Sequence, residues 1–190
     1  MAKERQTERR RLEDEQKRNA RKEVFSWVRM FAIVIVVVFV LTQFIIINAK
    51  IPSGSMENTI MTGDRVFGNR LAYIFGEPKR FDIIIFRYPD DEKQLFIKRI
   101  IGLPGETVEI HDGQIFIDGS KTPLKDVTTK EFMQGSFGPY TVPDNCYFVM
   151  GDNRNNSKDS RYWEHTFVTD DEIVGKAFLR YWPLNKIKFL

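Results

Sequence analysis

The chain has 190 residues and a formal net charge of +3, which is room for one compact domain plus an anchor. The charge is uneven: residues 1–29 hold ten Lys/Arg against six Asp/Glu and the rest holds nineteen against twenty, so the bulk of the chain lacks the positive face of a nucleic-acid binder. One cysteine, Cys146, excludes an intrachain disulfide, and with only His111 and His165 beside it a four-ligand zinc site is not expected, nor any other metal or cofactor.

Residues 1–27 are mostly charged or polar helix formers and read as a solvated tail. Residues 28–48 follow with an almost unbroken apolar run from Phe31 to Leu41 and on to Ile47, long enough to cross a bilayer. Trp27 and Arg29 stand at its entry, where interfacial anchors belong. The run is too long for the core of a cleavable signal peptide, and Asn48-Ala49-Lys50-Ile51 offers no small-residue cleavage site. It predicts an uncleaved membrane helix, with the basic N-terminal side in the cytoplasm and residues 49–190 outside.

Beyond the span, short β-like runs alternate with Gly, Pro, Asn and Asp. Strands are predicted over 65–67, 71–75, 81–88, 95–101, 107–110, 114–117, 146–150 and 173–182. Asp112-Gly113 between two of them suits a type I′ hairpin turn. No long 3.6-residue stripe appears after residue 60. The expected fold is a mostly antiparallel all-β domain behind one N-terminal transmembrane α-helix.

Two serines flank a glycine just past the span, in Pro52-Ser53-Gly54-Ser55-Met56. A serine in such a place is by default a turn residue, and its hydroxyl is a weak nucleophile without a base. Neither histidine sits in a recognisable triad setting. Lys98 and Arg99 are adjacent in a predicted strand, each flanked on its own face by large apolar residues, so alternation does not say which is buried. A buried arginine stays charged and can only pair. A buried lysine loses its proton readily and can serve a hydroxyl as general base.

Four segments in order then point further: Pro52-Ser53-Gly54-Ser55-Met56; Gly63-Asp64-Arg65-Val66; the stretch 98–106 beginning Lys98-Arg99; and the stretch 151–161, from Gly151-Asp152-Asn153 to Arg161. With a span directly upstream, they resemble the boxes of the type I signal peptidase (leader peptidase) family, in its short, Gram-positive-like form. The resemblance implies a membrane-bound serine endopeptidase that removes signal peptides, with small residues at −1 and −3, from exported preproteins. It implies Ser55 as nucleophile, Lys98 as general base and Ser53 as a hydroxyl that joins the Ser55 N–H at the oxyanion, a contact worth ~3–4 kcal/mol. It further implies Met56 near the substrate pockets, Ser157 orienting the lysine, Asp159 and Arg161 as a supporting ion pair, and Asp152 and Asn153 shaping the loop. Only about residues 107–146 are left for an accessory part, which must be small.

Asn58, Ile60, Gly68 and Arg70 depart from the family's usual proline, leucine, apolar residue and lysine. They bear on turn rigidity and substrate preference, not on the proposed chemical groups. A soluble self-cleaving Ser-Lys repressor is disfavoured by the anchor, and a histidine-based signal peptidase by the Lys98-Arg99 box. A membrane-anchored β-domain that binds exported proteins without cutting them is the alternative from another class. Seven residues separate Ile47 from Ser55, and at no more than ~3.6 Å each they hold the nucleophile within a few tens of ångströms of the bilayer.

Overall fold

The structure, a computed structural model, describes residues 2–74, 76–126 and 131–190, with side chains from residue 18 onward. It divides into two units, Met1–Phe44 and Ile45–Leu190. The first is a single helix, α1 (Ala2–Val40), continued by a π-helical turn over Leu41–Ile45. The stretch Arg18–Ile45 is long and apolar enough to cross a membrane. A run of Val and Ile is a poor helix former in water. In hydrocarbon the balance reverses, because a helix bonds all of its backbone polar groups internally.

The helix stops short of the expected end at residue 48. Residues 46–48 instead open strand β1 (Ile46–Lys50), and Ile47 is buried in the domain core. An apolar run suits both a lipid-exposed helix and a core strand, so periodicity does not separate them.

The second unit is mostly antiparallel β, as expected. Its further strands are β2 (Arg65–Asn69), β3 (Ile83–Tyr88), β4 (Asp91–Gly102), β5 (Thr107–His111), β6 (Gln114–Ile117), β7 (Phe137–Thr141), β8 (Cys146–Met150), β9 (Val168–Thr169), β10 (Ile173–Trp182) and β11 (Lys188–Phe189). The larger sheet runs β1-β2-β10-β3-β4-β8-β9, with β11 added to β10. The smaller one, β6-β5-β7, falls within residues 107–146.

β3 shows why this domain needs two layers of cover. Ile83 and Ile85 enter one core with Ile47, Ile51, Met56 and Ile60, while Ile84 and Phe86 enter another with Ile100, Val149 and Trp163. Successive side chains on a strand point to opposite faces, so an unbroken Ile-Ile-Ile-Phe run requires apolar packing on both sides. Each such side chain contributes roughly 1.5–3 kcal/mol by leaving water. This doubly covered centre of the sheet gives β4, the neighbour of β3, rigid support for the side chains discussed next.

The β5–β6 turn has Asp112 at φ 47° and Gly113 at φ 78°, the positive pair that a type I′ turn requires. Two strand expectations need correction. Leu71–Ile74 is a turn, started by Leu71 N–H donating to Asn69 Oδ1 at 2.9 Å; Phe75 lies outside the described residues. β7 lies where no strand is expected, since Gly138 and Pro139 interrupt its sequence. It lies at the edge of its sheet, where a missing N–H leaves no ladder bond unmade.

Candidate active site

Ser55 lies in a short 3-10 turn, Gly54–Met56. Apolar residues on either side, Ile51, Met56 and Ile60, are buried and fix the turn in the core. Asn153 clamps its far side: its N–H donates to the Ser55 carbonyl at 3.0 Å and its Nδ2 to the Gly54 carbonyl at 3.0 Å. Gly151 allows this approach. A Cβ there would lie 2.3 Å from the Ser55 carbonyl oxygen and 2.3 Å from Ser157 Oγ, a double overlap that no side chain tolerates.

Lys98 comes from β4, paired with Ile84 of β3, and is 3% exposed. Its Nζ lies 2.7 Å from Ser55 Oγ and 5.4 Å from the centre of the Phe96 ring. Burial pushes its pKa down to about 8; Asp159 and Asp152 oppose the shift and Arg161 adds to it. Ser53 Oγ is 3.5 Å from Ser55 Oγ, at the outer limit of a hydrogen bond. A cleft of ≈ 380 Å³ opens beside these groups, lined by Ser53, Gly54, Phe96 and Ile97 among others. Hollows of ≈ 260 and ≈ 740 Å³ elsewhere have no serine in their lining.

Arg99 is buried too. Its guanidinium forks onto Asp152, Nε to Oδ1 at 2.8 Å and Nη2 to Oδ2 at 2.7 Å, and its Nη1 donates to the Phe81 carbonyl. Asp152 also accepts the Thr59 hydroxyl at 2.5 Å, tying its loop to the segment just after the Ser55 turn. Asp159 and Arg161 form a second buried fork at 2.8 and 2.9 Å, and Asp159 accepts the Gly151 N–H at 3.0 Å.

The structure thus brings together Ser53, Ser55, Lys98, Asp152, Asn153, Asp159 and Arg161. Ser157 is buried beside the Ser55 carbonyl, and its hydroxyl has no hydrogen-bond partner among the described residues. Met56 follows Ser55, a cleft-lining residue, with its own side chain in the core. It is fully buried against Ile51, Ile60 and Val66, and the cleft is lined without it. Sequence reasoning missed the Arg99–Asp152 fork and its link to Thr59. The only signal was a carboxylate and an arginine in two separate boxes, with nothing to pair them.

Asn58 adopts φ 91° and its Nδ2 lies 3.5 Å from the Asp152 carbonyl oxygen. Proline is locked near φ −65° and cannot take this conformation. Asn58→Pro, which restores the family's usual residue, is expected to destabilise the domain by roughly 1–3 kcal/mol, the scale of forced backbone strain. Denaturant unfolding checks this.

The sequence profile of the family described as signal peptidase, peptidase S26, matches residues 24–182. The chain is 39% identical over 145 residues to a probable signal peptidase I-2 of Synechocystis sp., an alignment covering 74% of this chain and 65% of that protein. It thus spans just under two thirds of that relative. Against signal peptidase I P of Bacillus subtilis subsp. natto the identity is 34% over 183 residues, covering 92% of this chain and 97% of the relative. A crystal structure of a signal peptidase I from Enterococcus faecalis is 37% identical, with a TM-score of 0.45 over 53% of this chain and 96% of that one. The chain belongs to the signal peptidase I family of serine endopeptidases.

Proposed function

We propose that this protein is a membrane-anchored endopeptidase that removes signal peptides from exported preproteins, with Ser55 as nucleophile and Lys98 as general base. The observation that carries the reading is the 2.7 Å contact between Ser55 Oγ and a lysine 3% exposed, whose pKa burial lowers to about 8. At pH 7 about a tenth of such a lysine is neutral, against less than a thousandth of an exposed one.

Neutral Lys98 takes the Ser55 proton as Oγ attacks the carbonyl carbon of the −1 residue. The Ser55 N–H and the Ser53 hydroxyl hold the oxyanion. The Lys98 ammonium returns the proton to the leaving amine, freeing the mature chain and leaving the signal peptide as an ester on Ser55. Lys98 then deprotonates a water that attacks the ester, and the signal peptide leaves as a carboxylate. Ser157 is buried beside the Ser55 turn with its hydroxyl unpaired among the described residues, so a small side-chain shift is needed before it can orient the Lys98 amine. The Asp159–Arg161 fork keeps a carboxylate near that amine yet neutralised. Arg99, satisfied by Asp152, supports the loop and does no proton transfer.

Gly54, Pro52 and Ile97 in the cleft lining support apolar subsites for small side chains at −1 and −3. α1 serves as the bilayer anchor, and the cations Arg18, Arg21, Lys22 and Arg29 support a cytoplasmic N-terminus with the β-domain outside. The test is to incubate the protein in detergent with a preprotein bearing Ala at −1 and −3 and map the products by mass spectrometry. A single cut after the −1 residue is expected, and no cut when −1 is Leu. Cleavage at unrelated bonds, or none with Ala, contradicts the proposal.

A further inference from the structure

The rim of the Ser55 cleft carries a cation that the chemistry above does not use. Lys158 is exposed and lines the cleft together with Gln94, Phe96 and Asn156. Its Nζ stands 5.9 Å from the centre of the Tyr88 ring, a distance at which a ring face attracts an ammonium. The ring itself is fixed. It stacks on Phe96 at 4.4 Å with 3° between planes, and its hydroxyl donates to Asp90 at 2.7 Å. Asp90 in turn is engaged by the N–H groups of Glu164 and His165 at 3.1 and 2.8 Å. A surface lysine ordinarily sweeps freely through solvent; this one has a rigid aromatic platform at the cleft edge.

Among the described residues the lining itself includes no carboxylate, while Glu57 stands against Gly54, where a Cβ would fall 2.8 Å from its Oε1. In the working form, with Lys98 neutral, Lys158 is the one cation on that lining. Pocket charge of one sign selects substrate side chains of the other, and it does so as much by repelling the wrong charge as by attracting the right one. We propose that Lys158 is a specificity determinant: it favours substrates with an acidic side chain at the position near the cut that reaches the rim, and disfavours basic ones there. This rests on the reading of the Ser55 cleft as the peptide site.

The test uses peptides with Ala at −1 and −3 and with Asp, Gln or Lys placed in turn at −4, −2, +1, +2 and +3. The readout is the ratio of kcat/KM for Asp over Lys at each position, taken within each variant. An exposed ion pair changes affinity about 2- to 5-fold, and attraction and repulsion together give a wild-type ratio of roughly 4 to 25 at the rim position. Lys158→Gln should bring that ratio to about 1 and Lys158→Glu should invert it. High salt should shrink the wild-type ratio by screening. The same ratio in wild type and Lys158→Glu overturns the proposal while leaving the peptidase reading intact. Failure of wild type to cut any peptide, the Gln set included, overturns both.

Discussion

Ser55→Ala, Lys98→Met and Lys98→Arg should each lower kcat/KM for a preprotein by at least about 10⁴-fold, the scale on which removing a nucleophile or its base acts. The three variants fail for different reasons. Ser55→Ala removes the attacking oxygen, and Lys98→Met removes the base while filling its buried space. Lys98→Arg keeps a cation but supplies a guanidinium that does not give up its proton. The two lysine variants also differ in stability. The folded pKa of Lys98 lies near 8, below its ordinary 10.5. The folded state therefore binds fewer protons than the unfolded state between those values, and stability rises with pH across that window. Below pH 8 both states are protonated and the full cost of burying the charge, about 3 kcal/mol, is present. Lys98→Met relieves that cost and should unfold at the same or higher temperature at pH 7; Lys98→Arg keeps a buried charge and should not gain. Peptide cleavage assays with thermal melts monitored by circular dichroism check both halves. Retained cleavage by Lys98→Arg would count decisively against a base at this position.

Asp152→Ala should cost about 3–5 kcal/mol, the price of leaving a buried charge without its partner. Arg99 is 8% exposed and Asp152 fully buried, so water replaces neither group well. The loss extends past the fork, because Thr59 also gives up its acceptor. Asn153 follows Asp152 directly and holds the carbonyls of Gly54 and Ser55, so the Ser55 turn loosens with the loop. The melting temperature should drop by roughly 6–20 °C, and kcat should fall more than KM rises. The paired variant Arg99→Met with Asp152→Leu removes both charges and should recover much of the stability, since an apolar pair of similar volume is often as good as a buried ion pair. If the single and paired variants melt alike, the fork has no such role.

Much of the site was legible in the sequence because its chemistry is local: Ser53, Gly54 and Ser55 are contiguous, and a strand lysine is the natural base for a chain without a triad histidine. The supporting shell was less so. Lys98 and Arg99 point to opposite faces of β4, and both faces are buried: Ile100 packs in one core with Ile84, Val149 and Trp163, and Ile101 in another with Val108, Phe148 and Met150. Alternation distinguishes in from out only where one face meets water. The Arg99–Asp152 pairing spans fifty-three positions, and no local pattern encodes it. Met56 is similar: a methionine after the nucleophile suits a pocket wall or a core plug, and packing against Ile51 and Ile60 decides for the core. In the fold, the strong strands and the Asp112-Gly113 turn were legible because burial and backbone conformation agree there. The end of the helix was not, because Ile45, Ile46 and Ile47 satisfy lipid and protein core equally.

The most direct test of the central claim, that a buried Lys98 hydrogen-bonded to Ser55 is the working base, is the pH dependence of wild-type kcat/KM on a preprotein whose own groups do not titrate between pH 6 and 9. With Lys98 near 8, kcat/KM should rise about tenfold per pH unit below pH 7.5 and level off above pH 8.5. A profile flat from pH 6 to 9 would contradict it.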